Sequence, residues 1–141
     1  MLSGRARFFY IINETSGRSL REIYMKVLIV DDNVMTRSMI KDLLTEMGHE
    51  VTGEAGDGDE AVREFTACRP ELVLLDLIMP GKNGLQVLED LKAIDPAPRV
   101  VMVTAVQQDI ISRELKEKGA AGVLHKPFMY DELETLLKNL P

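Results

Sequence analysis

Cysteine is almost missing from this chain, and Cys68 is its only example. No internal disulfide can form, so a reducing compartment, the cytoplasm, is the expected home. Cys68 itself reads as a small apolar residue near the end of a helix. An excess of positive charge is missing too. Lys and Arg number 17 against 23 Asp and Glu, a net charge of −6. The cations needed to neutralise phosphates are outnumbered, and neither nucleic acid nor a membrane surface is an expected partner. No apolar run is long enough to span a bilayer, since Phe8–Ile12 (FFYII) is short even for a signal-peptide core. Repeats and low-complexity segments are absent, which excludes an array. His49 and His125 lack a third nitrogen or sulfur ligand for a zinc site and read as structural or surface residues.

What is present fits one soluble domain of 141 residues, 45% hydrophobic and 28% charged. Composition shifts at Met25. Residues 1–24 hold four arginines against two acids, whereas residues 25–141 hold 13 basic against 21 acidic residues, or −8. The domain is expected over residues 25–141, with residues 1–24 a dispensable extension or a start-site artefact. Alternatively, FFYII packs as an extra strand or mediates self-association, as β-prone apolar segments tend to find an edge.

From Met25 the pattern alternates. Val27–Val30, Glu50–Ala55, Leu72–Leu75, Arg99–Val103 and Gly122–His125 read as strands. Between and after them, apolar residues fall at helical spacing: Ile40, Leu43, Leu44 and Met47; Ala61, Val62 and Phe65; Leu85, Leu88 and Leu91; Ile110, Ile111 and Leu115; and Leu133, Leu136, Leu137 and Leu140. Strand and helix repeated five times imply an α/β fold, a parallel sheet covered on both faces. Pro141 directly follows the fifth helix, so a stand-alone domain is expected.

Such sheets bind ligands at the carboxyl ends of their strands. That rim collects Asp31 and Asp32 after strand one, Asp76 after strand three, Thr104 after strand four and Lys126 after strand five. Three crowded carboxylates repel one another and call for a cation. Oxygen ligands favour Mg²⁺, which leaves positions open to a phosphate. Asp76 would then be the nucleophile toward a phosphoryl group whose charge Lys126 and Thr104 meet. Each residue also has a plainer reading: the paired acids as an N-cap, Asp76 as a turn-former, Thr104 as a strand-end hydroxyl, Lys126 as a surface lysine. Their joint placement at separate strand ends favours the chemical one.

These residues resemble the receiver domains of bacterial two-component response regulators. VLIVDDN at Val27–Asn33, DLIMPGKNG at Asp76–Gly84, VVMVTA at Val100–Ala105 and HKPF at His125–Phe128 are similar to the family's signature blocks, in order, over about residues 25–141. The resemblance implies a doubly wound, flavodoxin-like sheet of strand order 2-1-3-4-5. It implies that Asp76 accepts a phosphoryl group from a phosphohistidine on a sensor histidine kinase, with phosphotransfer proteins an equivalent source. It further implies Mg²⁺ held by Asp32, Asp76 and the Ile78 backbone carbonyl, with Asp31 acting through water. Lys126 and Thr104 would contact the phosphoryl oxygens, the Lys126–Pro127 bond would be cis, and no separate turnover reaction is expected. An unknown downstream protein would read the face of helix four, strand five and helix five.

Two departures stand out. The family usually has an aromatic where this chain has Val123, so Tyr130 or Phe128 is a candidate substitute, or switching runs through helix-four packing alone. Ile78 and Val106, two residues after Asp76 and Thr104, are apolar and predict a long-lived phosphoryl group if they cover the site. The competing readings are a receiver-fold binding module that works unphosphorylated and a Mg²⁺-dependent hydrolase. The latter would want an acid where Ile78 stands. A flavin- or nucleotide-binding variant is disfavoured by acids in place of phosphate-cradling glycines in the first loop.

Overall fold

The computed structural model describes residues 24–141. The expectations for the first 24 residues, FFYII included, therefore lie outside the described residues except at Tyr24. Among the described residues, five strands alternate with five helices: β1 (Lys26–Val30), α1 (Val34–Glu46), β2 (Glu50–Ala55), α2 (Gly58–Cys68), β3 (Leu72–Asp76), α3 (Gly84–Ile94), β4 (Arg99–Thr104), α4 (Asp109–Glu117), β5 (Gly122–His125) and α5 (Tyr130–Lys138). The sheet runs β2-β1-β3-β4-β5, and every neighbouring pair is parallel. This is the doubly wound, flavodoxin-like order.

The unbroken apolar runs follow from that arrangement. Successive strand side chains point to opposite faces, so a strand covered on both sides cannot alternate apolar with polar. Leu28, Val30, Val73, Leu75 and Met102 pack on one face with Phe65 of α2, Leu88 and Leu91 of α3 and Leu115 of α4. Val27, Ile29, Leu72, Leu74 and Val101 pack on the other with Ile40 and Leu44 of α1 and Leu133 and Leu137 of α5. Central β3 is buried at all five positions, and each buried leucine there contributes about 1.5–3 kcal/mol relative to an exposed one.

The helical faces differ from expectation in α3 and α4. Ile110, expected inward, is 75% exposed, while Leu115 is buried. At about 3.6 residues per turn, a residue five positions before Leu115 turns away from its face, whereas Ile111, four before, packs against the core. In α3 the fully buried partner of Leu88 and Leu91 is Val87, with Leu85 only partly buried.

Helix starts are pinned at the rim. Asn33, Asp57 and Asn83 each accept a hydrogen bond from the backbone N–H three residues on, at Thr36, Glu60 and Gln86. Each such cap is worth about 1 kcal/mol. Gly84 opens α3 for a steric reason: a Cβ there would lie 2.2 Å from the Asp76 carbonyl oxygen. The loop from β3 thereby folds tightly beneath Asp76, held by the Gly84 N–H donating to the Leu77 carbonyl at 2.8 Å.

Candidate functional site

Because all strands are parallel, their carboxyl ends share one edge, and the structure brings the five predicted residues to it. Asp31 follows β1 at the central crossover and is 2% exposed; Asp76 closes β3 at 6%, and Thr104 closes β4 at 1%. Asp32 is exposed. Carboxylate oxygens of Asp31, Asp32 and Asp76 all lie within 4.8 Å of one another. The N-cap alternative for the paired acids does not hold, since Asn33 caps α1. Nor is Lys126 a free surface lysine: its Nζ donates to Asp31 Oδ2 at 2.7 Å and lies 3.5 Å from Asp76 Oδ2.

Backbone geometry holds the set in place. The Lys126 N–H donates to the Thr104 carbonyl at 2.8 Å, tying the end of β4 to the lysine, and the Lys126–Pro127 peptide is cis. The Asn33 N–H donates to Asp31 Oδ1 at 2.8 Å, and the Ile78 N–H to Asp76 Oδ1 at 3.3 Å. Thr104 Oγ1 accepts from the Val106 N–H at 3.0 Å, which leaves the hydroxyl proton available.

Burial and charge work against each other here. Burial pushes the Asp76 carboxyl above the ordinary carboxylate range; Lys126 pulls it down, and the negative Asp31 adds to the rise. For Lys126, burial opposes the charge. The hydrogen bond it donates to Asp31 and the fields of Asp76 and Asp31 outweigh it, and the ammonium ends above the ordinary lysine value. Three clustered carboxylates, only two of them paired with the one lysine, are an all-oxygen donor set short of positive charge. That fits a small hard cation such as Mg²⁺.

The remaining candidates sort by position. Ile78 is 62% exposed and Val106 half-buried. Val123 packs with the α2, α3 and α4 face, whereas Phe128 and Tyr130 pack with the α1 and α5 face. Neither aromatic therefore shares the side of the sheet that Val123 occupies. His49 is buried and accepts the Met25 N–H on Nδ1 at 3.1 Å, and His125 Nε2 lies 3.5 Å from Ser112 Oγ. Both are structural contacts away from the acids. Cys68 Sγ, expected to be merely apolar, donates to the Thr52 carbonyl at 3.0 Å. Sequence reasoning passed over Arg37, whose guanidinium donates to the Asp31 carbonyl. The available signal was an arginine one turn into a helix that follows paired acids.

Fold and site together define a doubly wound α/β domain with an acid-and-lysine pocket at its strand ends. The chain belongs to the response regulator receiver domain family, whose model matches residues 27–138. It is 38% identical over 103 residues to the chemotaxis protein CheY of Thermotoga maritima, covering 73% of this chain and 86% of that one. Sporulation initiation phosphotransferase F of Bacillus subtilis is 37% identical over 113 residues, covering 80% and 90%. Among solved structures, a chain of the CheX-CheY-BeF3-Mg+2 complex from Borrelia burgdorferi superposes with a TM-score of 0.77 at 29% identity, covering 79% of this chain and 85% of that one. Vibrio cholerae chemotaxis protein CheY4 does so at 0.77 and 30%, covering 82% and 98%. Among the described residues, no helix is long and apolar enough to cross a membrane.

Proposed function

We propose that this chain is a cytoplasmic single-domain response regulator in which Asp76 accepts a phosphoryl group from a phosphohistidine. The donor is a sensor histidine kinase or a histidine phosphotransfer protein. The observation that carries the reading is the placement of Lys126 between Asp31 and Asp76, beside a third carboxylate, with its backbone N–H tied to the Thr104 carbonyl. Relationship to CheY and to a sporulation phosphotransferase supports it.

Asp76 supplies the attacking carboxylate oxygen. Asp31, Asp32, Asp76 and the Ile78 backbone carbonyl would hold Mg²⁺, which when bound supplies positive charge for phosphoryl oxygens. Lys126, its side chain 24% exposed and its Nζ already at the carboxylates, supplies an ammonium for a phosphoryl oxygen bound at Asp76. Thr104 has a hydroxyl proton to donate to another. Phosphoryl transfer depends mainly on positioning and charge stabilisation, which these residues provide. The chain assists its own phosphorylation and dephosphorylation and has no separate turnover reaction. Its output is a changed protein surface, the face of α4, β5 and α5, read by a downstream protein.

The test is incubation with Mg²⁺ and acetyl phosphate, followed by intact mass of wild type and Asp76→Asn. A phosphate-sized gain in wild type alone is expected. No gain in wild type, or an equal gain in both, defeats the reading and leaves a binding module that acts unphosphorylated.

A further inference from the structure

Arg37 stands one turn into α1, and its side chain reaches back to the segment that carries the acids. We propose that Arg37 is a positioning residue: its guanidinium, braced by Glu54, holds the Asp31 carbonyl and so sets the orientation in which Asp31 and Asp32 present their carboxylates to Mg²⁺. The inference rests on the Mg²⁺-dependent reading above.

Four observations carry it. The Asp31 N–H still belongs to the sheet, donating to the Ala55 carbonyl at 3.0 Å, but its carbonyl has passed the end of the ladder. Asp31 is 2% exposed, and a buried carbonyl left without a donor is costly. Arg37 Nη1 supplies that donor. Second, the Arg37 backbone N–H donates to the Asn33 carbonyl at 3.0 Å, the first hydrogen bond of α1, so the helix start fixes the point from which the side chain reaches back to Asp31. Third, the guanidinium is itself held in place. Its side chain is only 16% exposed, and although the buried Nε makes no hydrogen bond, it lies 3.5 Å from Glu54 Oε1, the one carboxylate within ion-pair distance among the described residues. The other Glu54 oxygen lies 3.5 Å from Lys41 Nζ. A cation buried to this degree needs such a counter-charge. Fourth, the neighbouring chain leaves it room: a Cβ on Gly56 would lie 3.2 Å from Nη1.

Position and charge predict opposite outcomes when Arg37 is removed. Deleting a cation near three carboxylates would, by Coulomb attraction alone, tighten binding of a divalent cation. Releasing the Asp31 carbonyl lets the acids lose their common orientation and weakens it. Loss of residues that orient metal ligands typically costs about tenfold or more in affinity.

The experiment titrates the full chain with MgCl₂ and follows amide chemical shifts of residues 31–33, well below the unfolding temperature of every variant. Arg37→Ala is expected to bind Mg²⁺ about tenfold more weakly than wild type. Arg37→Lys, which can still donate to the Asp31 carbonyl but lacks the fork that reaches Glu54, recovers part of that loss. Gly56→Ala keeps every charge, crowds Nη1, and weakens Mg²⁺ binding in the same direction by a smaller factor. A merely structural role would lower the unfolding temperature of Arg37→Ala with Mg²⁺ affinity unchanged, and a purely electrostatic role would raise the affinity. Either result overturns the proposal. If Arg37→Ala does not fold, wild-type affinity in both Arg37→Lys and Gly56→Ala overturns it instead. Wild type that binds no Mg²⁺ sinks the functional reading and the clamp with it, whereas Mg²⁺ binding by wild type and every variant alike sinks the clamp alone.

Discussion

At the amino end of the sheet, polar groups have individual partners. His49 Nδ1 accepts from the Met25 N–H at 3.1 Å, the Tyr24 hydroxyl donates to Glu50 at 2.8 Å, and Glu71 accepts from the Lys26 N–H at 3.1 Å. At the carboxyl end, Asp31 and Asp76 share Lys126, the only lysine or arginine within ion-pair distance of either among the described residues. The same sheet therefore closes in two ways. One end satisfies its polar groups locally and contributes stability. The other keeps like charges together at a cost in stability, a shortfall of positive charge of the kind that a divalent cation would fill.

The largest expected effect probes the amino end through pH. Burial holds His49 neutral and lowers its pKa to about 4, against an ordinary value near 6.5. The unfolded chain then binds a proton that the folded chain refuses, so the His49 contribution is intact above pH 6.5 and is lost as pH falls toward 4. The gap is worth about 3 kcal/mol. Urea denaturation at pH 7, 5.5 and 4 should show a difference between wild type and His49→Gln that changes by about that amount, and a constant difference would break the contrast.

Next in size is Lys126→Ala at pH 7 without divalent cations. Removing the shared cation strands two buried carboxylates; with the lysine partly solvated, the expected loss is about 2 kcal/mol, partly restored by Mg²⁺. Equal stability of the variant and wild type would show that the carboxyl end is not under electrostatic tension. Smaller still, Asp76→Asn should stabilise the cation-free protein by about 1 kcal/mol, because it removes a carboxylate that burial and Asp31 both disfavour. A lower unfolding temperature for Asp76→Asn contradicts this. The smallest effect concerns the rim: Ile78→Asn or Val106→Glu should shorten the phosphoryl lifetime severalfold by admitting a hydrolytic water. Rapid phosphate loss from wild type that neither change accelerates would remove Ile78 and Val106 from the account.

Much of this was readable in one dimension, for stateable reasons. Buried parallel strands announce themselves as short runs without alternation, so VLIV and LVLL located β1 and β3, and Glu50–Ala55 matched β2 residue for residue. Helical faces were harder. Ile110 is apolar and adjacent to Ile111, and nothing along the chain says which of the two turns inward on a nine-residue helix whose only fully buried side chain is Leu115. Of the site, strand ends gave the identity of Asp31, Asp32, Asp76, Thr104 and Lys126. Arg37 was invisible because its importance lies in a contact with a backbone carbonyl, which has no signature of its own in a sequence.

By itself, the sequence determined the parallel α/β class, the edge where polar residues collect, and the residue types that meet there, because periodicity and strand-end position are local properties of the chain. Only the tertiary structure decided that Lys126 lies between Asp31 and Asp76 and not out in solvent, that Phe128 and Tyr130 pack on the face opposite Val123, and that Arg37 turns back onto β1. Those outcomes depend on distances between residues up to 95 positions apart, which only the packing of the sheet between its two helical layers sets.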